Sequence, residues 1–338
     1  MLRDPAIVIS GGTGFLGRYL VDAFLGAGYR VGVLCRASSP REVLDGQEVT
    51  FFEADIESAT ACRLALASAR ESLGDFQMVH NAALVSYREC DREALRRTNV
   101  DGVRNVWAAC AEVGVRRGVH VSSVVAVGTS PAGQRIDEEH PFDGHALGVE
   151  YVDTKWAGEQ IALGDHGSME VVVVNPGAIF GPVEATSNTA RFLIGMAQGR
   201  IGRLAPPGGM AAVGVWDCAE GVRLALERGK TGRRYILAES NPSSRELFAL
   251  VGELLEGRDP VWCTVPGPLW SLLCLAVGLT ARVREPAMTT PQAMRMLGVR
   301  FCQDAARART ELGWNPKPLR GVLSDTIRIL RERGILPR

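Results

Sequence analysis

Ala6-Ile7-Val8-Ile9-Ser10-Gly11-Gly12-Thr13-Gly14-Phe15-Leu16-Gly17 sets a run of strand-forming residues against a glycine-spaced turn. The amphipathic pattern at 18–25 that follows has helical period and ends near Gly26 and Gly28. Glycines at 11, 14 and 17 permit a tight turn, close approach of backbone to a pyrophosphate, and close packing of helix on strand. The helix start adds unpaired N–H groups and the positive end of a dipole. In a chain with 38 glycines such a loop could be a plain structural turn. A strand before it and a helix after it favour a dinucleotide site.

Outward from this unit, short apolar runs at 30–35, 49–53, 78–80, 118–122 and 170–175 alternate with longer helical patterns. Strands apolar throughout and separated by helices predict a Rossmann-type, doubly wound parallel α/β sheet. Beyond residue 181 the character changes. Turn-rich stretches at 205–209 and 240–244 separate helical patterns, with one more strand candidate at 234–237. The predicted division is a dinucleotide-binding domain over 1–181 with a returning segment near 210–238, and a smaller, mostly helical substrate region over 182–209 and 239–338. The stretch 269–279 is nearly all apolar but falls short of the ~20 residues that span a bilayer. Its expected place is a core helix, with a lid over an apolar substrate or a membrane-surface contact as alternatives.

Arg36 stands 19 residues past Gly17, at the end of the second strand. An acidic residue there would accept hydrogen bonds from the adenosine ribose, whereas a guanidinium offers a planar cation to a 2′-phosphate. NADP(H) is therefore expected over NAD(H), unless Arg36 is only a solvated strand-end charge. The 338 residues carry 38 basic and 38 acidic side chains and no long basic block, which points to a small-molecule partner and away from nucleic acid. Eight scattered cysteines read as reduced thiols, and no metal site is implied. The first residues lack the pattern of a secretion signal, so a cytoplasmic protein is expected.

Only three lysines occur, at 155, 230 and 317, and Tyr151 stands four residues before Lys155. Residues four apart share a helix face. A free tyrosine has a pKa of ~10, and a neighbouring ammonium would lower it toward the range where it exchanges protons readily. The alternative is a plain helix pair. Ser123, with Ser122 as fallback, ends a strand at the carboxyl edge where such sheets bind ligands, and could orient a substrate oxygen; a strand-end cap is the competing reading.

Together these residues resemble the extended short-chain dehydrogenase/reductase family over nearly the whole chain. The family's glycine turn is similar to 11–17, with Gly11, Thr13, Gly14, Phe15, Leu16 and Gly17 at the cofactor. Its later segments look like Asp55-Ile56, His80-Asn81-Ala82-Ala83, Asn99-Val100-Asp101-Gly102 and the run 175–182, where Pro176 and Ala178 meet the nicotinamide end. The resemblance implies that Ser123, Tyr151 and Lys155 form the catalytic triad and that Ser122 lies beside the cofactor. Arg36, the Asn175-Pro176 pair and the run 304–316 look like the branch holding dihydroflavonol reductases, 3β-hydroxysteroid dehydrogenase-like proteins and a hopanoid-associated subgroup. Asn175 departs from the arginine of many members, as Val124-Val125 depart from the usual small residues.

The implied reaction is hydride transfer between NADP(H) and a ketone or secondary alcohol. Trp262, Trp270 and the 269–279 stretch favour a hydrophobic substrate such as a steroid-, flavonoid- or 3-oxoacyl-like compound. Two rivals stand beside it: a sugar-nucleotide epimerase or dehydratase with tightly held NAD, and a non-enzymatic NADP-sensing protein. A homodimer is also left open.

Overall fold

Strands that are apolar at every position need a helical layer on each face. The computed structural model describes residues 5–131, 134–182, 188–281 and 290–337. Its main sheet contains β1 (Ala6–Ser10), β2 (Arg30–Cys35), β3 (Val49–Glu53), β4 (Gln77–His80), β5 (Arg117–Val121) and β6 (Glu170–Pro176). The short strands β7 (Ala178–Phe180), β8 (Leu204–Ala205) and β9 (Ala212–Gly214) precede β10 (Arg234–Leu237), which completes the sheet. The order is β10-β6-β5-β4-β1-β2-β3, and every pairing is parallel. The fold is thus the doubly wound Rossmann type with a smaller, mostly helical C-terminal region. The ends of the seven strands in this sheet sit within a residue of the sequence expectation.

On one face, α1 (Phe15–Gly26) and α7 (Val215–Arg228) bury Leu20, Val21, Phe24, Val222 and Leu226 against Ile7, Ile9 and Val33. On the other, α2 (Ala59–Leu73) and α4 (Gly102–Glu112) bury Leu66, Ala69, Val106 and Trp107 against Val8, Leu34 and Met78. Burying one such large side chain contributes ~1.5–3 kcal/mol, so the two layers hold the sheet from both sides. Between α2 and α4 lies the short α3 (Arg92–Arg96). Residues 211–238 return to the sheet through α7 and β10, and Ala305, Ala308, Leu312 and Trp314 join the same core.

A third apolar cluster gathers α6 (Asn188–Ala197), α8 (Ser244–Glu256) and α11 (Leu319–Glu332), with Leu193, Leu247, Val251, Leu323 and Leu330 at its centre. Ser243 and Glu246 close the start of α8 with a reciprocal capping box. Residues 1–4, read above for a secretion signal, lie outside the described residues. So do 183–187 and 282–289 of the expected substrate region.

One expectation fails. The stretch 269–279 forms most of α9 (Gly267–Ala281), but this helix is not in the core: Leu269, Leu272, Leu273, Leu275 and Leu279 are exposed. It rests on α10 (Pro291–Gly298), where the Trp270 Nε1–H donates to Met294 O at 3.1 Å. Trp262, beside the short β11 (Cys263–Thr264), is also exposed. Apolar composition marked a helix without saying which of its faces would be covered.

The sheet order reverses at β1: β2 and β3 lie to one side, β4, β5 and β6 to the other. The loops leaving β1 and β4 therefore diverge and open a crevice at the carboxyl edge.

Candidate active site

Two glycines make the turn after β1 possible. Gly11 has φ +68, and a Cβ there would lie 2.9 Å from Ala82 Cα. At Gly17 a Cβ would fall 2.0 Å from Gly11 O, so the helix can meet the strand only without a side chain. Gly14 is exposed, and as the residue before α1 it offers no side-chain cap, leaving the first N–H groups of the helix for another acceptor. Thr13 is half-buried in the turn; Leu16 points into the core, and Phe15 stacks edge-on with Tyr19.

Ser10, at the end of β1, ties the crevice together. Its hydroxyl accepts the N–H groups of Asn81 and Ala82 at 3.1 Å each and pairs with His80 Nδ1 at 2.8 Å. Asn81 Nδ2 donates to Gly11 O at 3.2 Å. Ala83 follows, exposed. Arg36 leaves β2 exposed, its N–H bonded to Ser39 Oγ at 3.1 Å, and its guanidinium forms no ion pair among the described residues. Asp55 and Ile56 form the turn after β3: Asp55 Oδ1 accepts Glu57 N–H, and Ile56 O accepts Asn105 Nδ2. Asn99 sits in a π-helical turn over Arg97–Asp101, where its amide bonds both backbone groups of Leu84 and the Thr154 hydroxyl.

Tyr151 and Lys155 both lie on α5 (Glu150–Ala162), and both are buried. The Ser123 hydroxyl lies close enough to the Tyr151 phenol to favour its ionised form, and the Tyr151 ring stacks edge-on with Tyr87 at 5.7 Å. It shares one buried apolar cluster with Leu95, Val125, Val149, Val152 and Phe301, against which Leu147 and Met296 pack. Lys155 Nζ donates to Val121 O at 3.0 Å. Ser122 is buried one residue away, its hydroxyl unpartnered among the described residues. Asn175 Oδ1 is equally unpartnered. Pro176 closes β6, and Ala178 starts β7 with its N–H on Ala211 O. Buried polar atoms are rarely left without partners unless another polar molecule meets them. Together with the uncapped start of α1 and the glycine cradle, they fit a dinucleotide along this edge.

The electrostatics differ from the sequence expectation. Burial pushes the Tyr151 phenol up to about 12, with the Ser123 hydroxyl acting in the opposite sense; Lys155 is not what moves it. Burial lowers Lys155 to about 8, and the nearby Glu159 carboxylate acts in the opposite sense. The ammonium points to a backbone carbonyl, and in this apolar setting desolvation outweighs the charge one turn away.

Sequence reasoning missed the groups that brace α5. Glu159, fully buried, accepts from Asn175 Nδ2 at 2.5 Å and from Arg234 Nη1 at 3.1 Å. Asn175 Nδ2 also reaches Ser123 O at 3.0 Å. Glu150, next to Tyr151, is buried between Arg92 and Arg96, and its N–H donates to Gln292 Oε1 at 3.0 Å. Extending the four-residue count from Lys155 would have found Glu159. Nothing local announces Gln292 or Arg234.

Known proteins share this plan. The NAD dependent epimerase/dehydratase family matches residues 7–238. Sterol demethylase protein B of Methylococcus capsulatus is 31% identical over 337 residues, covering 97% of this chain and 99% of that protein. A 4-hydroxy-2-methyl-3-oxo-4-farnesyl-3,4-dihydroquinoline-1-oxide ketoreductase of Stigmatella aurantiaca is 28% identical, over 90% of each chain. The crystal structure of gox2253 superposes with a TM-score of 0.85 at 27% identity, covering 98% of this chain and 100% of that one. With its glycine turn opening a doubly wound sheet, a family match over most of its length and a relative 31% identical from end to end, the chain belongs to the NAD dependent epimerase/dehydratase type of the extended short-chain dehydrogenases/reductases.

Proposed function

We propose that this protein is an NADP(H)-dependent ketone reductase for a hydrophobic small molecule, with Ser123, Tyr151 and Lys155 as its catalytic groups. The observation that carries the reading is the buried Tyr151, beside the Ser123 hydroxyl and edge-on to Tyr87, in an apolar cluster with Val125 and Phe301 against which Met296 packs. A phenol whose pKa burial has raised to about 12 keeps its proton at neutral pH, and giving that proton to a carbonyl oxygen calls for the Ser123 hydroxyl and a positive charge to favour the phenolate left behind. The relatives named for a sterol and a farnesyl-bearing quinoline support an apolar substrate.

In this reading the turn from Gly11 to Gly17 and the start of α1 hold the pyrophosphate, while Arg36 meets the 2′-phosphate. Asp55 and Ile56 lie at the adenine; Asn81, Ala82, Ala83 and Asn99 line the middle of the crevice. Pro176, Ala178 and Ser122 lie toward the nicotinamide. When bound, that ring supplies the hydride. Ser123 orients the substrate oxygen, Tyr151 donates its proton to it, and Lys155 places a positive charge beside both the phenol and the ribose. The apolar wall excludes water, strengthening each of these polar contacts.

The test is NADPH and NADH oxidation against steroids, flavonoid-like ketones and 3-oxoacyl compounds, with wild type and Tyr151→Phe compared. Tyr151→Phe should cut turnover by roughly 10²-fold or more while leaving NADPH affinity nearly intact, as fluorescence titration reads it. Equal turnover in the two proteins would remove Tyr151 from the reaction. Release of stoichiometric NAD on denaturing the purified wild type would replace the reductase with the epimerase reading.

A further inference from the structure

From Pro260 to Ala281 the sequence carries no charged residue. Helix α9 takes up most of this run, and its leucines face outward: Leu272 is 66% exposed, Leu275 63% and Leu279 57%. At 3.6 residues per turn, Leu275, Leu279, Leu272, Leu269 and Leu273 fan through about 160° of the helix surface. Between Leu269 and Leu279 the one hydroxyl is that of Ser271, and it bonds back to Gly267 O at 3.1 Å. An apolar surface of this breadth is costly in water and marks a contact.

The shape and chemistry of the surface identify the contact. A groove on a protein partner, or a matching helix of a second copy, covers a stripe of roughly 100°. Leucines spread over half the circumference are covered at once by a fluid hydrocarbon phase. Beside the helix, Trp262 is 72% exposed, with the Arg203 guanidinium 4.9 Å above its ring, and Arg203 has no carboxylate partner among the described residues. Exposed Leu204 adjoins them. An amphipathic indole paired with an unspent cation suits the level of phosphate headgroups. The helix is about 22 Å long, too short to cross a bilayer, and no helix among the described residues is long and apolar enough to do so.

The same surface leads to the site. Trp270 of α9 is bonded to Met294 of α10, Gln292 of α10 receives the N–H of Glu150 beside Tyr151, and Met296 packs at the apolar wall around Tyr151. We propose that α9 inserts into one leaflet of a lipid bilayer, with Trp262 and Arg203 at the headgroups, and that the ketone reaches Tyr151 from the lipid past α10. The second half of this statement rests on the reductase reading given above.

The experiment is flotation of the full chain with vesicles of phosphatidylcholine and phosphatidylglycerol, comparing wild type, Leu272→Glu/Leu275→Glu and Arg203→Glu. Wild type is expected to float. The double variant should lose about 10-fold or more of its bound fraction, and Arg203→Glu should lose binding chiefly on the anionic vesicles. Because both leucines are exposed, the double variant should melt with the wild type; Leu272→Ala, which adds no charge, should weaken flotation in the same direction. Turnover of a vesicle-dissolved ketone should fall in the double variant while turnover of a water-soluble ketone holds. Failure of the wild type to float, or equal flotation of the double variant, overturns the proposal. So does a wild-type dimer in light scattering that the double variant splits. If wild type floats, the variant does not, and neither reduces any ketone, the lipid contact stands and the reductase reading falls.

Discussion

At the scale of single residues, the site runs on desolvation. Lys155, with its pKa lowered to about 8, is an ammonium below that pH and a neutral amine above it. Tyr151, raised to about 12, stays protonated across the same range. Loss of activity on the alkaline side therefore follows the lysine. The expected profile of kcat/KM for ketone reduction is level near neutrality and declines as pH rises through about 8, the direction set by loss of the required cation. A rate that holds level to about pH 10 would detach the lysine's charge from the reaction. The chain announced this pair by rarity, since so few lysines stand among its basic residues. It did not announce the sign of the phenol's shift, because spacing says where a charge sits along a helix and not how dry its surroundings are.

Elements come next, and here the turn between β1 and α1 is the most constrained. A methyl group at position 17 would overlap Gly11 O, a backbone atom that cannot swing aside. Gly17→Ala should push the start of α1 off the strand and weaken dinucleotide binding by about 10-fold or more. Fluorescence titration with NADPH checks this, and unchanged affinity in a folded variant would mean that the helix start is not the anion site. The strands were legible because buried parallel strands need apolar residues at every position, a demand that leaves a continuous mark. The fate of α9 was not, since a uniformly apolar helix has the same composition in a core as on a surface.

For the whole molecule, what matters is which distant segments share a charge. Glu159 on α5 is bound to Arg234 on β10 and to Asn175 on β6, so the helix carrying the reactive pair is fastened to the sheet from beneath. Glu159→Gln should destabilise the protein by about 3 kcal/mol, because it leaves a largely buried guanidinium without its counter-charge. Thermal or urea unfolding reads the loss, and a variant as stable as wild type would show that the pair is dispensable. Such couplings join positions 75 residues apart, and nothing in one sequence pairs them; the local motifs were readable and their long-range supports were not.

The reversal of strand order at β1 reaches furthest. Two neighbouring strands whose connections depart in opposite directions cannot help leaving a gap above them, whatever side chains they carry. The cavity is thus a by-product of the winding. Selection had only to furnish it, and chains that have drifted apart at most positions can keep the same vestibule while exchanging the molecules admitted to it.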